Sequence, residues 1–153
     1  MKTTRIGLFA LPAILLLNGG AAPAPPAHGV NVAVTITDLR NADGRVLACM
    51  TSREDRFPRC RGVQTAYTTS VPAHRGALVV NFADVKPGRY AIALLHDENG
   101  NGKADRALGM MPKEGFGFSN DAPVKMGPPK FEAAAFHLGE ANKSVKIRMR
   151  YVL

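Results

Sequence analysis

A run of oxygen-bearing side chains lies between residues 97 and 105. Its spacing matches the first nine positions of a calcium-binding loop, in which alternate residues turn oxygen atoms towards one ion. A hard cation needs several oxygens from one short segment, and Gly102 stands where the backbone of such a loop turns sharply. The expected calcium ligands are the side chains of Asp97, Asn99, Asn101 and Asp105 and the backbone carbonyl of Lys103.

The match to a calcium loop is incomplete at its far end. Leu108 occupies the twelfth position, where such loops carry a bidentate glutamate, and Lys103 and Arg106 add positive charge. With two anionic ligands, we expect a dissociation constant for calcium of about 10⁻³ to 10⁻⁴ M, as in extracellular modules. The alternative is a plain turn, because Asn-Gly is a strong hairpin signal.

Two residues next to this loop could also take part in chemistry. His96 directly precedes the loop, and Glu114 lies in a Pro-Lys-Glu-Gly segment that follows it. A histidine at the edge of the core, held by backbone groups, is the simpler interpretation of His96, and a ligand or acid–base role is the alternative. Glu114 could complete the cation site or act as a general base.

A hydrolase or transferase centred on His96, Asp97 and Glu114 is therefore the rival to a binding protein. The sequence has no nucleophile elbow, phosphate-binding loop or zinc motif. A single carboxylate without an identified partner is weak evidence for catalysis. Enzyme function consequently has no positive support in the sequence.

Three methionines raise a second metal hypothesis. Thioether and imidazole groups suit copper in an exported protein, although methionine is more often a core residue. A copper-binding periplasmic protein is thus a further alternative. Its ligands would come from Met110, Met111, Met126 and His96.

Basic residues alternate with apolar residues near the C-terminal end. Such alternation is typical of a strand with one solvated face, and cations also discourage pairing at a sheet edge. The same charges could attract an anionic polymer at the cell surface. Nucleic acid is not an expected partner, because no aromatic platform is interleaved with these cations. The basic residues are Lys143, Lys146, Arg148 and Arg150.

Short alternating segments predict the strands that position these residues. A chain of 153 residues with 21% charged and 46% hydrophobic residues is long enough for one core and too apolar to be disordered. The turns between its short strands favour an antiparallel β-sandwich in a single domain over residues 28–153. The predicted strands cover residues 30–36, 45–50, 78–82, 90–95 and 145–151, and a single helical turn is predicted over residues 131–136.

Residues 106–130 differ from the rest in composition. This stretch holds four glycines and four prolines, interleaved with Phe116 and Phe118. A segment of this length without secondary structure is usually functional or disordered, and the aromatic residues favour packing. We therefore expect one long ordered Gly/Pro/Phe loop on the sandwich.

The first 27 residues have the organisation of a signal peptide. Lys2 and Arg5 precede an apolar run over residues 6–17, and a small, proline-rich segment follows. The run is too short to span a bilayer, so we expect cleavage by about residue 27 and a periplasmic or secreted product without a transmembrane segment. In an oxidising compartment Cys49 and Cys60 are expected to form a disulfide, since they lack the spacing of a redox or metal pair.

Four blocks of sequence carry a family resemblance. They are Val-Lys-Pro-Gly-Arg-Tyr at residues 85–90, Leu-Leu-His-Asp-Glu-Asn-Gly-Asn-Gly-Lys at 94–103, the segment 112–120, and the segment 127–136. In this order they resemble the uncharacterised exported bacterial family called domain of unknown function 2141. The resemblance runs from about Val30 to Tyr151 and implies a transthyretin-like or prealbumin-like β-sandwich in the envelope or outside the cell. It implies no activity, and the two cysteines are not part of its pattern.

The hypothesis that follows is a non-enzymatic exported β-sandwich. Calcium would bind the Asn-Gly loop and order the neighbouring Gly/Phe loop. A cell-surface polymer or a protein partner would then bind on that ordered loop.

Overall fold

The computed structural model describes residues 29–107 and 111–152. Within them the chain is predominantly β, with ten strands, one 3-10 turn (Ser119–Asp121) and one short helix, α1 (Phe131–Ala134). The predicted signal peptide, Leu108 and Met110 lie outside the described residues. The strands are β1 (Val30–Thr37), β2 (Arg45–Thr51), β3 (Tyr67–Pro72), β4 (Leu78–Val85), β5 (Gly88–Asp97), β6 (Arg106–Ala107), β7 (Met111–Pro112), β8 (Gly115–Phe118), β9 (Phe136–Leu138) and β10 (Lys143–Arg148).

A three-stranded sheet has the order β10-β1-β4. Strand β1 is antiparallel to β4 but parallel to β10, whereas the alternating pattern led us to expect antiparallel pairing throughout. The reason is topological: β9, which precedes β10, pairs with β5 in another sheet. The chain crosses between sheets before β10, so no tight hairpin forces β10 to run antiparallel to its neighbour.

A larger antiparallel sheet has the order β3-β2-β5-β8, and β9 pairs with the start of β5. Strand β5 lies in its centre, with Ala48 of β2 opposite Leu94 on one side and Gly117 of β8 opposite Leu94 on the other. Strands β6 and β7 form a separate two-stranded ribbon. In the part of the chain described, none of the sheets closes on itself.

The main hydrophobic core combines residues from both larger sheets. Alternate residues of β1 are fully buried, and they belong to the same cluster as alternate residues of β2 and β5. Burying one such side chain contributes about 1.5 to 3 kcal/mol relative to leaving it in water. The fully buried members include Val32, Val34, Ile36, Val46, Met50, Ile92 and Ile147.

A second apolar cluster lies on the other face of β5. Phe118 and Phe131 pack there with Ala91, and the Phe57 ring lies 5.8 Å from the ring of Phe118 and 5.9 Å from that of Phe131 in edge-to-face geometry. The helical turn predicted over residues 131–136 is present as α1. These contacts hold the chain segments that flank β2 and β8 against the sheet.

The prediction of a long loop over residues 106–130 is wrong for its first half, because β6, β7 and β8 lie there. A Cβ atom on Gly117 would lie 2.8 Å from Ile147 Cγ2, so this position needs glycine where β8 meets β10. Phe116 and Phe118 alternate with the glycines, as the period of a strand requires. Residues 122–130 do form a loop without strand or helix.

Cys49 on β2 is joined to Cys60 by the predicted disulfide. Their Cα atoms are 6.1 Å apart, which is within the ordinary range for disulfides. The bond ties the segment after β2 to the sheet. No helix in the described residues has the length and apolar character needed to cross a membrane.

Candidate cation site

The candidate loop starts at the end of the central strand. Asp97 is the last residue of β5 and pairs with Arg45 of β2. On the other side His96 pairs with Gly115 of β8, so the next pair in this antiparallel register is Asp97 and Glu114. Directly opposed residues of an antiparallel pair point to the same face, with Cβ atoms about 4.5 to 5.5 Å apart. The sheet therefore brings two carboxylates together at the base of the loop.

The Asp97 carboxylate organises the first turn of the loop. It is only 1% exposed, and its Oδ1 accepts the Asn101 N–H at 3.0 Å while its Oδ2 accepts the Gly102 N–H at 2.8 Å. Gly102 has φ of 72°, in the left-handed region that glycine favours. The turn glycine predicted from the sequence is thus where the backbone needs it.

The asparagine and aspartate side chains of the loop meet at Asp105. Asn99 Nδ2 and Asn101 Nδ2 donate to the same oxygen, Asp105 Oδ2, at 2.7 and 2.9 Å. The two amide oxygens accept backbone N–H groups, Asn99 Oδ1 from Asn101 and Asn101 Oδ1 from Lys103. The structure therefore brings together the four side chains predicted as ligands, in a loop closed by its own hydrogen bonds.

Glu114 lies beneath this loop and is 4% exposed. Its Oε2 accepts the Asp105 N–H at 3.1 Å, while Oε1 makes no hydrogen bond of ordinary geometry within the described residues. Burial raises the pKa of Glu114, the negative charges of Asp97 and Asp105 raise it further, and the backbone N–H groups of Asp105 and Glu98 oppose this rise. The Lys113 N–H also donates to the Asp105 carbonyl at 3.0 Å, so the end of the loop is tied to the segment before β8.

Residues that were not predicted from the sequence stabilise the loop through hydrogen bonds and an ion pair. The Arg40 guanidinium binds Glu98 through Nη2 and Oε2 at 2.5 Å, and Arg40 Nη2 also donates to the Lys113 carbonyl at 3.0 Å. Hydrogen bonds from Arg40, and also from Asn41, hold the pKa of Glu98 below its usual value. Arg61 Nη2 donates to the Gly102 carbonyl at 3.0 Å. Arg40, Asn41 and Arg61 are far from the loop in sequence, so spacing alone gave no signal for them.

His96 is fully buried with both ring nitrogens in hydrogen bonds. Nε2 lies 2.8 Å from the Asp43 carbonyl, which can only accept, so Nε2 donates this hydrogen bond. Nδ1 lies 2.7 Å from the Tyr151 hydroxyl, and that hydroxyl accepts the Arg40 N–H at 3.2 Å. Burial raises the pKa of Tyr151. Both ring nitrogens of His96 therefore have hydrogen-bond partners, as expected for a histidine at the edge of the core.

The residues proposed for a hydrolase are buried, whereas the described methionines proposed for copper are exposed. The His96 and Glu114 side chains are both buried, so neither lines an open cleft in which a hydrolase would hold its substrate. Of the copper candidates, Met126 is 95% exposed and Met111 is 37% exposed. In the described ranges, no three His, Cys, Asp or Glu side chains are grouped as a metal site, and this includes Asp97, Asp105 and Glu114.

The basic C-terminal residues are partly engaged with other groups. Arg148 Nη2 lies 3.5 Å from one carboxylate oxygen of Asp121, and Arg150 Nη2 lies 3.8 Å from the other. Lys146 is exposed on the outer face of β10. These contacts link β10 to the 3-10 turn after β8.

Comparison with known proteins gives one match. Residues 34–146 match a family model described as an uncharacterized protein conserved in bacteria (DUF2141). No curated protein matches the chain, and no solved structure does either. The matched range contains the whole candidate loop and Glu114.

Proposed function

The chain belongs to the bacterial family DUF2141, as its four sequence blocks predicted, and from this premise we propose that it is a non-enzymatic exported module stabilised by calcium. The calcium site would be the loop of residues 97–105. The observation that carries the proposal is the convergence of Asn99, Asn101 and Asp105 in a loop organised by the buried Asp97.

A cation in the loop would replace several of its present hydrogen bonds. Asp105 Oδ2 now receives two amide N–H donors, and calcium would replace those donors as the partner of this oxygen. The amide groups of Asn99 and Asn101 would rotate to present oxygen, the atom that a hard cation prefers, and would give up the backbone N–H groups that these oxygens now accept. The carbonyl of Lys103 follows the turn at Gly102 and would supply the ligand at position seven.

The fold and the compartment are part of the same proposal. A single core shared by the two larger sheets supports a β-sandwich of the transthyretin type. The Cys49–Cys60 bond supports an oxidising location, the periplasm or the exterior, because disulfides persist there and are rare in the cytosol. At such locations millimolar calcium affinity is typical of extracellular modules.

The partner in this proposal is a cell-surface polymer or a protein. It would bind the loop over residues 122–130, which follows the strand tied to the calcium site. Met126 and Lys125 are exposed there, whereas Phe118 before the loop and Phe131 after it are buried and fix its position. Ordering of the site would thus be transmitted to the binding loop through β8.

Calcium is expected to raise the melting temperature of the wild-type protein. A ligand that binds only the native state at ten times its dissociation constant adds about 1.4 kcal/mol to the free energy of unfolding. For a domain of this size the melting temperature should rise by about 3 to 6 °C. The measurement is a thermal melt in EGTA and in 10 mM calcium chloride, with 10 mM magnesium chloride as the comparison.

Lys103→Ala is the matched control for this melt. The proposed site uses the carbonyl of Lys103 while the ammonium group opposes the ion, so the variant should keep or increase the calcium shift. Unchanged melting of the wild-type protein in calcium, together with no metal in protein purified without chelator, would identify the loop as a plain turn.

A further inference from the structure

We propose that Glu114 supplies the carboxylate that the loop lacks at its twelfth position, so that calcium is held between the loop and strand β8. This inference rests on the proposed function, since it adds a ligand to the same site. In an ordinary calcium loop the twelfth residue supplies this carboxylate. Here the pairing of β5 with β8 would place Glu114 in that role.

The first argument is the position of Glu114, which follows from the pairing of β5 with β8. Pairing of His96 with Gly115 sets Glu114 beside Asp97, the residue that begins the loop. The Asp105 N–H donates to Glu114 Oε2 at 3.1 Å, so the same carboxylate also touches the last predicted ligand. Glu114 therefore lies between both ends of the loop.

The second step concerns the other oxygen of this carboxylate. Glu114 is 4% exposed, and in the described part of the chain Oε1 makes no hydrogen bond of ordinary geometry, although the Glu98 N–H lies near the carboxylate. A buried charged oxygen without a partner is unfavourable, and two further carboxylates lie nearby. A cation would supply the missing partner and offset the repulsion among the three acidic groups.

If Glu114 had only a structural role, one neutral acceptor oxygen would be enough at this position. Accepting the Asp105 N–H requires one oxygen, and a glutamine amide could do this without a buried charge. Burying a charged carboxylate carries a desolvation cost that a neutral amide avoids. The arrangement is understandable if the second oxygen and the charge are used by an ion.

Glu114 would also connect the ion to the C-terminal part of the chain. The residue directly before β8 would be fixed by calcium, and Phe116 of β8 exchanges two backbone hydrogen bonds with Arg150 at 2.9 and 2.8 Å. Calcium would then hold the edge of the larger sheet against the segment that follows β10.

The test is calcium binding by Glu114→Gln, measured by calorimetric titration of EGTA-treated, dialysed protein with calcium chloride. We expect the affinity to fall at least about tenfold, because the variant loses an anionic ligand. In EGTA the variant should melt at or above the wild-type temperature, since it removes a buried charge. A structural role alone would leave calcium affinity unchanged.

Glu140→Gln is the matched control, because it removes one negative charge at an exposed residue outside the loop. Its calcium affinity should stay within about threefold of wild type, since exposed charges are screened. Wild-type affinity in Glu114→Gln would overturn the inference and leave the proposed function intact. If the wild-type protein binds no calcium, the proposed function itself fails. If Glu114→Gln does not fold, Glu114→Ala, which also lacks the carboxylate, is titrated instead, and wild-type affinity there would overturn the inference.

Discussion

Replacing Asp97 with alanine is expected to abolish the calcium response and to lower the free energy of unfolding of the calcium-free protein by about 2 to 4 kcal/mol. The Asn101 and Gly102 N–H groups would lose their charged acceptors at once. Hydrogen bonds to charged groups contribute about 1.5 to 3 kcal/mol each, and water would replace part of this in an exposed loop. Urea unfolding in EGTA and in 10 mM calcium chloride measures both effects.

Asp97→Asn separates the two roles of this side chain. An amide oxygen can still accept one of the two N–H groups, so stability in EGTA should fall by less than in the alanine variant. The calcium response should still be lost, because the anionic ligand at the first coordinating position is gone. An Asp97→Ala protein that calcium stabilises as much as wild type would show that the ion binds elsewhere.

Gly117→Val is expected to lower the free energy of unfolding by about 2 to 3 kcal/mol through overpacking. The added Cβ would lie 2.8 Å from Ile147 Cγ2 and 3.0 Å from the Arg148 carbonyl oxygen, and that backbone oxygen belongs to β10. Gly139→Val is the control, because no atom lies within 4 Å of the added Cβ at that position. Equal urea midpoints for the two variants would mean that residues 115–118 do not pack against β10 as a strand.

The strands that could be predicted from sequence are those whose alternate residues are strongly apolar. Val30–Thr37 and Leu78–Val85 alternate between buried and accessible residues, and their predicted positions are confirmed. Tyr67–Pro72 was missed because it is the edge strand β3, with only half-buried and exposed residues. Gly115–Phe118 was missed because its inward positions are glycines, whose need for close approach depends on a distant strand.

The loop ligands could be predicted from the sequence, whereas the position of Glu114 could not. Asp97, Asn99, Asn101 and Asp105 lie within nine residues, so their spacing could be evaluated from the sequence alone. The position of Glu114 depends on the pairing of β5 with β8, and a one-residue change of register would turn it to the other face. Long-range contacts of this kind leave no periodic signal.

The direction of β10 is a further example of information that alternation does not contain. The alternation over residues 145–151 predicts a strand with one buried face; the observed strand is Lys143–Arg148, and Ile147 is fully buried in it. Whether that strand runs parallel or antiparallel to β1 depends on where the preceding strand lies. Here β9 pairs with β5, and the crossover that follows gives a parallel pair.

Direct titration of the wild-type protein with calcium chloride tests the central claim, a calcium site in the loop of residues 97–105. Isothermal calorimetry on EGTA-treated, dialysed protein should give one site with a dissociation constant of about 10⁻³ to 10⁻⁴ M. The Asp97→Ala protein titrated in parallel should give only the heat of dilution. Absence of binding by the wild-type protein up to 10 mM calcium, or equal binding by the two proteins, would contradict the account.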